Sequence, residues 1–346
     1  MRRAARIAAA GALAGAIVLS AGAMRPAAAQ DAGAKRDAPR VVTDEVGRQV
    51  TIPAEVKRIV TLSPDLTETI YALGLEDRLA GDTDYCDTPP EAKSKPHVGG
   101  AQNPSLEAIV ALHPNLVLAS TSINRRETVE ALARLGIAVY TSGPNTVRGM
   151  MESVERIAKL TDSGARGAAL VERMQSRLDA LHARLEDLPM VHVLFIVWEA
   201  PLITIGQNTF IADALRWAGA ESVILSKQNW PHVSLEEIVR LQPDYILLSS
   251  NHSGPGTGSG ASELSELRAQ PGWRKLGAVE KGHVVAVDAE MARPSPGLVD
   301  AIEKLAHELH PEAFTERAEE GNWFAGNGRW VDPASGAMNW CEQCVR

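Results

Sequence analysis

Residues 233–250 read VSLEEIVRLQPDYILLSS, and residues 104–120 read PSLEAIVALHPNLVLAS. At a constant offset, the pairs Ser105/Ser234, Leu106/Leu235, Glu107/Glu236, Ile109/Ile238, Val110/Val239, Leu112/Leu241, Pro114/Pro243, Leu118/Leu247 and Ser120/Ser249 are identical. In each copy a serine can cap a helix start, and a first-turn glutamate suits the positive end of the helix dipole. Apolar residues recur at helical spacing until a proline stops the helix. A short apolar run follows, of the length and composition of a buried parallel strand. Solenoid units recur every ~20–50 residues, and this period is far longer. The repeat therefore predicts two similar α/β lobes in one chain, although any helix–strand unit shares part of the pattern.

The flanking segments extend each copy. Residues 41–52 alternate as a strand pair turning at Asp44 to Arg48, and RIVTL at 58–62 reads as a buried strand. Ser63-Pro64-Asp65 then leads into a helix over 66–73 closed by Gly74. A strand is expected at 79–83. Residues 84–102, rich in Asp, Pro and Gly, form a loop able to carry function at a strand's carboxyl end. A helix at 125–135 and a strand at 138–141 complete the first lobe.

Residues 147–188 favour helix, with a break near 161–164, and the second half is long enough to brace two lobes. A strand at 191–197 opens the second lobe as 58–62 opened the first. A loop at 198–208, a helix at 209–217 and a strand at 223–225 lead to the second copy. A Gly/Pro/Ser loop at 251–261, a helix at 262–270, a strand at 284–287 and a helix at 296–309 follow. The division expected is a signal peptide (1–29), a linker (30–40), an N-terminal lobe (41–146), connecting helices (147–188), a C-terminal lobe (189–310) and an extension (311–346). The extension carries Trp323, Trp330 and Trp340 without clear periodicity.

The 346-residue chain is long enough for two domains and carries a net charge of −8. Arg2, Arg3 and Arg6 precede an Ala/Gly/Leu-rich run, and Ala27-Ala28-Ala29 offers a cleavage site before Gln30. Removing that segment with Arg25 leaves about −12, which argues against nucleic acid or an anionic membrane surface as partner. No cysteine follows the cleavage site, so a soluble exported protein without a lipid anchor is expected. An uncleaved anchor is the other reading of the apolar run. Three cysteines (Cys86, Cys341, Cys344) leave at least one thiol unpaired within the chain.

The ordered set RIVTLSPDLTE, DYCDTPPEA, VGGAQNPSLEAIVALHPNLVLAS, PLITIGQNTFIADALRWAGA, NWPHVSLEEIVRLQPDYILL and RPSPGLVDAIEKLA resembles the substrate-binding proteins of iron-chelate and vitamin B12 ABC importers over roughly residues 40–310. The resemblance implies two α/β lobes joined by one long rigid helix, a ligand held in the cleft between them, a periplasmic location and no catalytic activity. It implies that Glu107 and Glu236, one per lobe, dock on arginines of an importer permease. It also implies that Trp230 and Trp198 lie against a flat ligand ring and that Arg293 faces the ligand, with Tyr85 and Asp87 in the first lobe's cleft loop. Each tryptophan also fits core or interface packing, Arg293 a surface position, and both glutamates simple first-turn acids. Thr88 and Ala101 stand where the cobalamin-binding members of the family carry aromatic residues, which thins the aromatic surface of the first lobe.

The ligand implied is a cobalt corrinoid, with haem or a ferric siderophore as the alternative, and the protein carries no cofactor of its own. A monomer is expected. An enzyme of the two-lobe metallocofactor type is a further reading, and it would require a cleft histidine or a cluster-ligating cysteine such as Cys86. No Walker or dinucleotide loop, HExxH or GxSxG motif is present, and the nine histidines are scattered. His232 beside Trp230, then Met291 and Cys86, are weaker candidates for a bound metal's axial position.

Overall fold

The computed structural model describes residues 38–249, 260–315, 329–331 and 338–340. The signal segment, most of the 251–261 loop and Cys341-x-x-Cys344 lie outside the described residues.

The alternation at the start of the first lobe folds as expected, β1 (Arg40–Thr43) pairing antiparallel with β2 (Gln49–Ile52). Asp44 holds the turn by accepting the N–H groups of Val46 and Arg48 at 3.2 and 2.7 Å. Then come β3 (Ile59–Thr61), α1 (Pro64–Ala72), β4 (Leu79–Gly81), α2 (Leu106–Ala111), β5 (Leu116–Ser120), α3 (Arg126–Arg134) and β6 (Val139–Ser142). Helix α1 begins two residues earlier than expected, because Pro64 occupies a first-turn position where its missing N–H costs nothing. The sheet is wholly parallel in the order β4-β3-β5-β6.

Two helices follow, α4 (Val147–Leu160) and the 22-residue α5 (Gly164–Leu185). The second lobe contains β7 (Val191–Glu199), β8 (Leu202–Thr204), α6 (Phe210–Trp217), β9 (Ala220–Ser222), α7 (Leu235–Leu241) and β10 (Tyr245–Ser249). It closes with α8 (Gly260–Ala269), α9 (Gly277–Lys281), β11 (Val284–Val287), α10 (Leu298–Leu309) and the short α11 (Glu312–Thr315). Its parallel strands run β9-β7-β10-β11, the same order as β4-β3-β5-β6, so the sequence repeat corresponds to a structural one. In both copies the repeat serine caps its helix, Ser105 Oγ accepting from Ala108 N and Ser234 Oγ from Glu237 N, each at 3.1 Å.

Two expectations are corrected. Residues 198–208 are not all loop: β7 continues to Glu199 and folds back through β8, pairing antiparallel. The strand expected at 223–225 lies instead at Ala220–Ser222, where it pairs with Val191–Val193. Helix α9 was not foreseen. In the extension, Arg329–Val331 pairs antiparallel with Met338–Trp340.

Helix α5 spans about 33 Å at ~1.5 Å per residue. Arg166 near its start donates to the carbonyl of Gly74, the turn that closes α1, at 2.7 Å. Arg177 in its middle donates to Asp300 and Glu303 of α10 at 2.5 and 2.6 Å. Asp213 of α6 in the second lobe caps α4, accepting the N–H of Val147 at 2.8 Å. A side chain at Gly167 would lie 2.3 Å from Ala158 Cβ, so glycine lets α4 and α5 touch. Leu170, Met174, Leu178, Leu181 and Leu185 share one hydrophobic cluster with Leu116 and Leu118 of β5 and with Val193, Phe195 and Leu247 of the second sheet. One core therefore runs through both lobes.

Candidate ligand cleft

In a parallel sheet, ligands meet the loops beyond the carboxyl ends of the strands. All five residues expected to face a ligand lie in such loops or at such an end. Tyr85 and Asp87 follow β4, Trp198 is the penultimate residue of β7, Trp230 lies between β9 and α7, and Arg293 follows β11. The two lobes meet through these loops, since Arg293 Nη1 donates to Glu68 Oε1 of α1 at 3.1 Å and lies 3.7 Å from Asp87 Oδ1.

Tryptophans are largely buried on average, yet Trp198 and Trp230 are 54% and 51% exposed, and Tyr85 62%. Trp230 is held in place by its neighbours. The carbonyl of Asn229 accepts from Gly206 N at 2.9 Å, and that of Pro231 from Thr204 N at 3.1 Å. Both donors belong to β8 or the turn after it. A Cβ at Gly206 would lie 1.8 Å from Gln228 O, so only glycine permits this approach. The Trp198 indole N–H donates to Ala200 O at 3.0 Å, which sets the ring's orientation at the tip of the β7–β8 hairpin. Two indoles and a phenol thus stand open at strand ends, two from one lobe and one from the other. Such faces suit a large flat ligand.

The departures have structural correlates. Ala101 is fully buried and its carbonyl accepts from Asn124 Nδ2 at 2.8 Å, so the position packs the loop. The Thr88 hydroxyl donates to Asp87 Oδ1 at 3.4 Å. Cys86 is buried, its sulfur accepting a hydrogen bond from the Thr67 hydroxyl at 3.1 Å and hydrogen-bonded with the Thr83 hydroxyl at 3.3 Å, and burial raises its thiol pKa. Met291 is also fully buried. Neither offers sulfur to a ligand in the cleft, whereas His232 remains exposed. Among the described residues no His/Cys/Asp/Glu group is arranged to hold a metal ion.

Beside Arg293 lie buried acids that the sequence reading did not single out. Asp65 and Glu68 project from α1, and both are buried. Burial pushes Glu68 up to about 7, opposed by the nearby Ser295 hydroxyl and the Arg293 guanidinium. Burial likewise raises Asp65. The available signal was two acids, i and i+3, within a helix whose other neighbours are apolar or small. Asp82, at the end of β4, is a third buried acid. Burial lifts it to about 6 despite His97, whose Nδ1 lies 2.7 Å from its carboxylate.

Glu107 and Glu236 occupy equivalent exposed first-turn positions on α2 and α7, one per lobe. Glu107 also accepts from the Ser105 hydroxyl at 3.2 Å.

Residues 59–291 match the periplasmic binding protein family. The chain belongs to that family. Its members are extracytoplasmic components of transport. An uncharacterized ABC transporter substrate-binding lipoprotein of Bacillus subtilis is 30% identical over 286 residues, covering 80% of this chain and 88% of the relative. The periplasmic vitamin B12 binding protein BtuF of Vibrio cholerae superposes with a TM-score of 0.63 at 26% identity, covering 75% of this chain and 98% of the other. A periplasmic heme-binding protein, BhuT, in complex with two hemes, superposes with a TM-score of 0.66 at 27% identity, covering 74% and 99%. This binding protein thus shares its two-lobe architecture with receptors for both kinds of ring.

Proposed function

We propose that this binding protein captures a cobalt corrinoid in the cleft between its lobes and delivers it to an ABC importer, without catalysing a reaction. The observation that carries the reading is the half-exposed Trp230, its flanking carbonyls hydrogen-bonded to β8 and the turn after it, standing with Trp198 and Tyr85 at the carboxyl ends of the sheets. Likeness to a vitamin B12 binding protein supports the choice of ring. On this reading residues 41–146 and 189–310 are the capturing lobes, and Tyr85, Asp87, Trp198, Trp230 and Arg293 meet the ligand. Haem is the second reading, favoured by the heme-binding neighbour. The test is a calorimetric and absorbance titration with cyanocobalamin, cobinamide and haemin. One-to-one corrinoid binding, weakened about ten- to hundredfold in Trp230→Ala, is the expected result. Corrinoid silence with saturable haemin binding would replace it with the haem reading.

Glu107 and Glu236 are proposed as the permease contacts, since a paired carboxylate on each lobe suits basic sockets. Reversing both charges (Glu107→Lys with Glu236→Lys) should abolish ligand uptake through the cognate importer and leave corrinoid affinity within about threefold. Undiminished uptake by the double variant would refute the docking role.

A further inference from the structure

Arg293 is crowded by acids. Its Nη1 lies 3.1 Å from Glu68, 3.7 Å from Asp87 and 3.9 Å from Glu290, and its side chain is only 20% exposed. Glu68 comes from the opposite lobe and is 6% exposed. It also faces the amino end of α10, since a Cβ placed on Gly297 would lie 3.6 Å from Glu68 Oε2. The amino end of a helix favours negative charge, so the second lobe receives this carboxylate with both a guanidinium and a helix dipole. Asp65 adds a fourth acid in the field of the same arginine.

We propose that Glu68 is a specificity-determining residue: by holding and neutralising Arg293 from the opposite lobe, it makes the cleft select metal chelates rimmed with uncharged amides over chelates rimmed with carboxylates. The inference rests on the corrinoid reading and deepens it. A free arginine in a ligand cleft is a fork for carboxylates, which it takes through paired N–H donors. Here the fork is occupied, and Asp87 and Glu290 stand beside it with acceptor oxygens. An incoming carboxylate meets like charge, which costs affinity. An incoming amide brings N–H donors that the same two acids can accept. The acids thus discriminate twice, once by repulsion and once by pairing.

The test uses two cobalt corrins with the same ring and metal but different rims: dicyanocobinamide, with side-chain amides, and dicyanocobyrinic acid, with side-chain carboxylates. Affinities are measured by calorimetry at pH 8, above the point at which the folded protein releases the Glu68 proton, and at one salt concentration for the unaltered protein, Glu68→Gln and Glu290→Gln. The unaltered protein should prefer the amide corrin by about a hundredfold. Glu68→Gln should narrow that ratio about tenfold, mainly by tightening the carboxylate corrin, with the amide corrin moving less than about threefold. Glu290 is partly exposed on a short turn after β11, so Glu290→Gln keeps the test open if Glu68→Gln folds poorly. It should narrow the ratio in the same direction by about two- to fourfold. A ratio unchanged in both variants, or no preference in the unaltered protein, would overturn the proposal while corrinoid capture stands. If the unaltered protein binds neither corrin, the corrinoid reading falls and this inference with it.

Discussion

Replacing Leu178 with alanine should lower the stability of the folded protein by about 2–5 kcal/mol, the range for truncating a fully buried leucine. Leu178 lies in the middle of α5 with no exposed surface, inside the cluster that holds side chains from both sheets. Its removal leaves a void where neither lobe can collapse alone, because α4, α6 and α10 press on the same helix. Urea unfolding should show a lower midpoint, an unchanged slope and a single transition. An unchanged slope would mean that the surface exposed on unfolding is the same and that stability alone has fallen. Each sheet also has a separate outer cluster, around Leu194, Ile196 and Ile246 in one lobe and Val60, Leu62 and Ile109 in the other. If those outer clusters sufficed for independent folding, the variant would unfold in two steps. Two steps, or a loss below about 1 kcal/mol, would contradict a shared core.

Raising the pH from 5 to 8 should destabilise the protein, with Glu68 as a main source of the change. In the unfolded chain Glu68 releases its proton near 4.5, whereas in the folded protein burial holds it until about 7. Between those values the folded state binds the extra proton, so stability is fully present below 4.5 and is lost as pH rises through 7. A shift of this size corresponds to stability on the order of 3 kcal/mol. The groups facing the carboxylate are Arg293 and Ser295, with Asp65, Asp87 and Glu290 around them. Asp65 and Asp82 are raised by burial as well and act in the same direction. Urea midpoints at pH 5 and 8 for the unaltered protein and for Glu68→Gln would isolate the contribution, because an amide does not titrate. A midpoint that climbs with pH, or an identical pH response in the variant, would contradict it.

The paired lobes were legible because a capped helix, a proline stop and an apolar strand recur with nine identical pairs at a constant offset, and local physics decides each of those features. The β7–β8 hairpin was not, since three residues of alternation at Leu202–Thr204 are too few to separate from a loop. Strand β9 was misplaced because Val223–Leu225 is the more apolar triplet. Pairing with Val191–Val193 selects Ala220–Ser222 instead and leaves Leu225 74% exposed. Tyr85, Trp198 and Trp230 were singled out through the family resemblance, and all three are exposed at the carboxyl ends of the strands. Glu68 was not, because its meaning depends on Arg293, 225 positions away, and no local period records such a pairing.

The shared core sets a timetable for the chain. Its members run from Val50 to Leu309, some 260 residues apart. At roughly 5–20 residues per second, a ribosome releases the last of them ~10–50 s after the first. Until α10 arrives, α5 has an uncovered flank, and contacts so distant in sequence form slowly even afterwards. The core that joins the two lobes therefore closes only when the last long helix, α10, has been made.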